Sequence, residues 1–139
     1  MVRKGPPGPT QPDEGIWQGS TIARRFMSPD GMIVLVGKTA RDNDILSIKL
    51  ASPRDFWFHV AGESGSHVVV RNPQNLDRLP KTTRDYAAGL AAGYSKARHG
   101  GKTTVHMARA ADVSKPRGLP PGTVRLGRFE KLKAPPIRE

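Results

Sequence analysis

The residues whose types and spacing could do chemistry lie between Asp55 and Val70, in the run Asp-Phe-Trp-Phe-His-Val-Ala-Gly-Glu-Ser-Gly-Ser-His-Val-Val-Val. Three aromatics and two histidines surround a glycine-flanked turn. Phe56 to Val60 and His67 to Arg71 are aromatic or β-branched and read as the two strands of a hairpin. If the turn centres on Glu63, His59 stands opposite His67 and Trp57 opposite Val69, so two imidazoles and an indole share one face. A slip of one residue would break that arrangement. The two histidines admit three chemistries: hydrogen bonding to backbone, contact with a nucleotide or phosphate, or metal ligation. Metal ligation needs further ligands, and only Asp55 and Glu63 are near in sequence. By alternation Phe56 and Phe58 share one face and Trp57 the other, so at most one of these sets is expected to be exposed for base stacking.

Other catalytic constellations fail on spacing. Gly100-Gly101-Lys102-Thr103 resembles the end of a phosphate-binding loop, but Lys96 stands where the first glycine is required, and the segment follows a helix instead of opening one. Ser66 and His67 are adjacent in a strand and point to opposite faces, so they form no nucleophile and base pair. The chain has no cysteine, which removes thiol nucleophiles, disulfides and Cys-ligated zinc or iron–sulfur centres. No cofactor is expected.

Charge offers the broader signal. The 139 residues carry 23 Lys plus Arg against 12 Asp plus Glu, a formal net charge of +11, and residues 73 to 139 supply +9 of it. Such an excess points to a polyanion as partner. Lys96 and Arg98 at a helix end, Lys102, and Lys115 and Arg117 in a Pro/Gly-rich loop are the candidate phosphate contacts, together with Arg109. Each is otherwise a solvated surface charge.

The elements that must position these residues follow from pattern. Arg24 to Met27 and Met32 to Val36 flank Ser-Pro-Asp-Gly and read as a hairpin. Residues 42 to 51 fit a short helix capped by Asp42 or Asn43. Thr82 or Thr83 caps a second helix with Tyr86, Ala87, Leu90, Ala91 and Tyr94 on one face. Thr103 to Arg109 and Thr123 to Arg128 read as strands. The expected fold is α+β, a largely antiparallel sheet with two helices packed on it, in a single domain over residues 17–129. Residues 1–16, with Pro6, Pro7, Pro9 and Pro12, are expected to be a disordered leader, and 130–139, with Pro135 and Pro136, a flexible basic tail. No apolar run approaches membrane-span length and no secretory signal is visible, so the expected location is the cytoplasm.

Read in order, Asp30-Gly-x5-Gly37-Lys38, Asn43-Asp44-x-Leu46, Asp55-x-Trp57-Phe58-His59, Gly65-Ser-His67-Val-Val-Val and Ala87-Ala88-x-Leu90-Ala91-Ala92-x-Tyr94-Ser95-Lys96-Ala97-Arg98 resemble the NFACT-R domain over about residues 22 to 128. The resemblance implies an RNA-binding module of the kind found in RqcH and nuclear export mediator factor proteins. Those larger proteins act on obstructed large ribosomal subunits and recruit tRNA. It places Trp57, His59, Ser66 and His67 on signature positions, and Lys96 and Arg98 on the helix-end block. Lys115 and Arg117 match a basic loop more loosely. With no room for the other domains of those proteins, the chain is expected to be a stand-alone version that does not itself synthesise tails. The implied partners are rRNA or tRNA and the large ribosomal subunit, with no membrane. Two other readings stand beside this one. One is an RNA-processing or RNA-modifying enzyme using His59 or His67 as general acid or base. The other is a ribosome-docking adaptor, whose association with the ribosome would survive RNase treatment.

Overall fold

The computed structural model describes residues 7–139. The six-residue start of the expected leader lies outside the described residues. A turn of 3-10 helix at Pro12–Glu14 leads into a small ribbon, β1 (Ile16–Trp17) with β2 (Ser20–Thr21). The main sheet follows: β3 (Ala23–Met27), β4 (Ile33–Gly37), β5 (Phe56–Val60), β6 (Val68–Val70), then β7 (Thr103–Arg109) and β10 (Glu130–Ala134). Their spatial order is β10-β7-β5-β6-β4-β3, and every neighbouring pair is antiparallel. A second ribbon, β8 (Val113–Ser114) with β9 (Arg125–Leu126), lies outside that sheet. The α+β architecture is the expected one.

Helices cover both faces of the sheet. Helix α2 (Lys81–Gly93) lays Ala87, Leu90 and Ala91 on Val34, Val36, Phe56, Phe58, Val68 and Val70. On the other face, α1 (Ala40–Asp44) runs on into a π-helical turn, Ile45–Leu50, whose Leu46 and Leu50 pack with Leu35, Trp57 and Val69. The strands therefore bury both side-chain sets, which is why β4 and β6 read as continuous apolar runs instead of alternating. Among the described residues, no helix is long and apolar enough to cross a membrane.

Several boundaries differ from expectation for local reasons. The first helix is capped by Thr39, whose hydroxyl accepts from Asp42 N at 3.0 Å, not by Asp42 or Asn43. Helix α2 starts at Lys81 after Pro80, and Thr82 and Thr83 lie inside it. Their hydroxyls donate to the carboxylate of Asp30, with Thr83 Oγ1 at 2.6 Å, so they tie the β3–β4 turn to the helix instead of capping it. Of residues 123 to 128 only Arg125–Leu126 form a strand.

The ends depart furthest. In the expected leader, Asp13 accepts from Arg71 Nε at 3.1 Å and Gln11 pairs with Ile16, so its second half is part of the fold. Residues 130–139 are likewise ordered. Glu130–Ala134 form the edge strand β10 against β7, and Leu132 and Ala134 join the α2 core while Lys131 and Lys133 stay exposed. Lysines on an edge strand deter further pairing, so the basic pattern that suggested a frayed tail suits an edge. Beyond Pro135 and Pro136 the chain crosses α2, where Ile137 N donates to Gly89 O at 2.8 Å. A Cβ on Gly93 would stand 1.8 Å from Ile137 O, so only glycine admits this crossing.

Candidate nucleic-acid interface

The β5–β6 register pairs Phe56 with Val70, Trp57 with Val69 and Phe58 with Val68. Continued by one step, it sets His59 beside His67, and their ring centroids lie 5.2 Å apart. The same face holds Trp57, 5.1 Å from His67 and 6.0 Å from His59. On the far side, His59 pairs with His106 of β7. The shared face inferred from the hairpin is present, with a third imidazole that sequence spacing did not single out.

Trp57 and His67, however, are each only 1% exposed. They meet at Ser47 of the π-helical turn: Trp57 Nε1 donates to Ser47 Oγ at 2.9 Å, and Ser47 Oγ lies 2.7 Å from His67 Nδ1. The other ring nitrogen, Nε2, lies 3.0 Å from the carbonyl oxygen of Gly122. A carbonyl only accepts, so Nε2 carries the proton, and the neutral ring's Nδ1 accepts from the Ser47 hydroxyl. Burial, followed by the neighbouring His59, lowers the His67 pKa to about 4, which keeps the ring neutral at physiological pH. Burial also lowers the pKa of His59. Trp57 is thus no stacking surface, since the helix layer covers it as α2 covers Phe56 and Phe58. His67 serves as a structural bridge, not as a nucleotide contact.

The bridge fixes the surrounding loops. Asn43 Oδ1 accepts from His67 N at 3.0 Å. Gly122 N donates to Asp44 Oδ1 at 3.1 Å. Lys115 Nζ lies 2.6 Å from Thr123 O and 3.2 Å from Asp44 Oδ2. Lys115 is therefore spent on folding the Pro/Gly loop and is not a free phosphate contact. Asp55, the first residue of the aromatic run, is buried: it accepts from Arg71 at 2.6 Å and from the backbone N of Ser52 and Asn72 at 2.9 Å. It holds strands together and faces no ligand.

Residues 61–66 are zipped to the segment after α2. Gly65 bridges Ser95, Ser66 N donates to Tyr94 O at 2.9 Å, and Lys96 N donates to Ser64 O at 3.0 Å. A Cβ on Gly65 would approach Ser95 Cβ to 2.6 Å, so the glycine is required by that contact. The zipper brings Lys96 and Arg98 to the His59 hairpin. Between them opens a cleft of about 960 Å³, lined by His59, Ser66, Lys96 and Arg98, and also by Arg24, Lys38, His106 and Arg138. Tyr94 organises two of these cations, with the Arg24 and Arg138 guanidinium carbons 5.4 and 4.8 Å from its ring centroid. Five Lys and Arg side chains thus converge on a cleft whose lining includes one carboxylate, Glu63.

Of the residues singled out in the sequence, the structure brings His59, Ser66, Lys96 and Arg98 together around open space. Trp57 and His67 form part of the wall of the same cleft but are almost wholly buried. Lys102 and Arg117 are exposed and outside the cleft lining. Arg24, Lys38, His106 and Arg138 were missed; His106 stands in a strand directly opposite His59, a pairing visible only once β5 and β7 are known to be neighbours. Among the described residues, no group of three or more His, Cys, Asp or Glu is placed to hold a metal ion.

These features define a small α+β domain with a basic cleft at the end of its sheet. Residues 23–128 match the NFACT protein RNA binding domain, and the chain belongs to that family. It is 40% identical over 116 residues to the Rqc2 homolog RqcH of Streptococcus suis, covering 83% of this chain and 20% of that protein. It is 34% identical over 103 residues to RqcH of Bacillus subtilis, covering 74% of this chain and 17% of that protein. It is 32% identical over 117 residues to ribosome quality control complex subunit 2 of Schizosaccharomyces pombe, covering 80% and 11% respectively. The chain thus spans about a fifth or less of the curated relatives it matches. Among solved structures, the C-terminal part of the fibronectin/fibrinogen-binding protein from Streptococcus suis matches at a TM-score of 0.77 and 36% identity, covering 83% of this chain and 46% of that one.

Proposed function

We propose that this chain binds structured RNA, rRNA or tRNA, through the cleft between the His59 hairpin and the end of α2, and does so in ribosome quality control in the cytoplasm. The observation that carries the reading is the convergence of Arg24, Lys38, Lys96, Arg98 and Arg138 on a cleft lined by one carboxylate. A cleft lined by one sign of charge focuses the field on a phosphate backbone. Family membership and the names of the ribosome quality control relatives support the same reading. Of the two histidines on which an enzyme reading would rest, His67 has both ring nitrogens engaged, with Ser47 and Gly122, which disfavours it as a general acid or base and leaves His59 as the one that lines open space.

Fluorescence anisotropy against labelled tRNA and a length-matched DNA duplex, across a salt series, tests the proposal. Affinity is expected to fall steeply with salt as condensed counterions are released. The triple variant Lys38→Ala, Lys96→Ala, Arg98→Ala is expected to bind roughly 10- to 100-fold more weakly at physiological salt, with a log–log slope lowered by about one per cation removed. Lys102→Ala with Arg117→Ala, outside the cleft, is expected to change binding far less. A preference for tRNA of more than about tenfold means that RNA shape and the 2′-hydroxyl are read. Salt-insensitive binding, or wild-type affinity in the triple variant, overturns the assignment of the cleft.

A further inference from the structure

Phe129 is a large apolar side chain that stays exposed. It is 43% exposed, one of two such side chains among the described residues, Met27 being the other. Its ring sits 4.6 Å from that of His106. In the sheet, Lys131 of β10 stands directly across from His106, and His106 across from His59, so Lys131, His106 and His59 form one row across three strands on one face. Lys133 follows one step along β10, opposite Thr104. The helical layer and the β8–β9 ribbon pack over the Trp57 end of this face, while Lys131 and Lys133 remain exposed and His106 is only half-buried.

The Phe129–His106 pair also stands on a divide. His106 lines the main cleft, whereas Phe129 lines a second hollow of about 610 Å³ whose walls carry five cations, Arg84 and Arg128 among them, beside the carboxylates of Asp77, Asp112 and Glu130. In that wall the Arg84 guanidinium is ion-paired with Asp85, its buried Nε 3.6 Å from the carboxylate oxygen.

We propose that this divide takes an unpaired nucleotide of bound RNA. The base stacks on the open side of Phe129, and the flanking phosphates run to Lys131 and Lys133 on one side and to Arg84 and Arg128 on the other. An aromatic ring among cations suits a nucleic acid strand, whose bases offer π-faces and whose backbone offers charge. A protein partner is disfavoured by the same composition, since the core of a protein interface is depleted in charged residues, lysine among them. The base must be unpaired, because a base inside a duplex has both faces stacked on its neighbours. The inference rests on the RNA-binding reading and specifies the form of RNA that part of the surface accepts.

The test uses the purified chain with a short single-stranded oligouridine carrying one 2-aminopurine, whose fluorescence is quenched on stacking, and a blunt RNA duplex of equal length. Phe129→Leu is expected to weaken single-strand binding about 5- to 20-fold and to abolish the quenching. Duplex affinity and the salt slope are expected to stay unchanged. Phe129→Tyr, which keeps the ring, is expected to bind and quench like the wild type, separating lost stacking from lost packing. Lys131→Ala with Lys133→Ala is expected to lower the salt slope while quenching persists. Wild-type single-strand affinity or persistent quenching in Phe129→Leu overturns this inference and leaves the cleft reading intact if tRNA binding is retained. Absence of binding to every RNA form overturns both.

Discussion

Ser47→Ala is expected to lower the free energy of unfolding by about 2–4 kcal/mol, a large share of what a small domain possesses. The hydroxyl serves two buried partners at once, accepting from Trp57 Nε1 and donating to His67 Nδ1. Removing it strands an indole N–H and an imidazole nitrogen in a region where both residues are 1% exposed. Each orphaned group costs about 1–3 kcal/mol, and no water of comparable geometry enters so closed a wall without displacing packed side chains. Urea unfolding followed by tryptophan fluorescence measures the loss. The mechanism is checked by a cycle: Trp57→Phe in the Ser47→Ala background removes the stranded donor, so the two changes should be non-additive by more than about 0.5 kcal/mol. A Ser47→Ala protein within about 0.5 kcal/mol of the wild type would refute the bridge as a source of stability.

Acidification is expected to destabilise the protein through His67. Its pKa in the folded state is about 4, below the ordinary histidine value of 6.5 that the unfolded chain recovers. Between these values the unfolded state binds the extra proton and the folded state does not, so stability rises with pH there and is lost as pH falls. The slope reaches ~1.4 kcal/mol per pH unit, and the loss accumulates to about 3 kcal/mol by pH 4. Protonation would also make Nδ1 a donor toward Ser47 Oγ, leaving the serine hydroxyl proton without its acceptor. His59, lowered in the same direction by burial, steepens the same window. The carboxyls of Asp30 and Asp85 are held below the usual carboxylate range by the Thr82 and Lys81 side chains, so their contribution is lost only at still lower pH. Urea unfolding of the wild type and His67→Gln from pH 7 to pH 4 measures the difference, and parallel pH profiles for the two proteins would refute the assignment.

Much of the fold is written locally. The Asp30–Gly31 turn between two strand-like runs, the second of them rich in β-branched residues, yields the β3–β4 hairpin, and the Ala-rich face of residues 87 to 91 makes α2 the helix that covers one side of the sheet. The pairing of His59 with His67 followed from a single assumption about where the hairpin turns. Residues 130–139 were misjudged because local composition weighs Pro135 and Pro136 heavily, while the value of β10 comes from β7, more than twenty residues earlier in the chain. Alternation of Glu130, Leu132 and Ala134 against Lys131 and Lys133 was the available signal, and it takes meaning only beside a vacant sheet edge.

Taken alone, the sequence determined the charge, the α+β class, the hairpin that carries the aromatic run, and a family resemblance that the 23–128 match sustains. Tertiary structure alone decided which signature residues meet solvent. Trp57 and His67 are withdrawn because a helical layer closes over their face of the sheet, and no strand pattern records whether a second layer exists. Lys115 is spent on Asp44, more than seventy residues away, while Lys96 and Arg98 stay available. The cleft itself gathers Arg24, Lys38, Lys96 and Arg138 from segments more than one hundred residues apart. Charge is a property of composition, but a field focused on a phosphate depends on convergence, and convergence comes only from the packing of the whole chain.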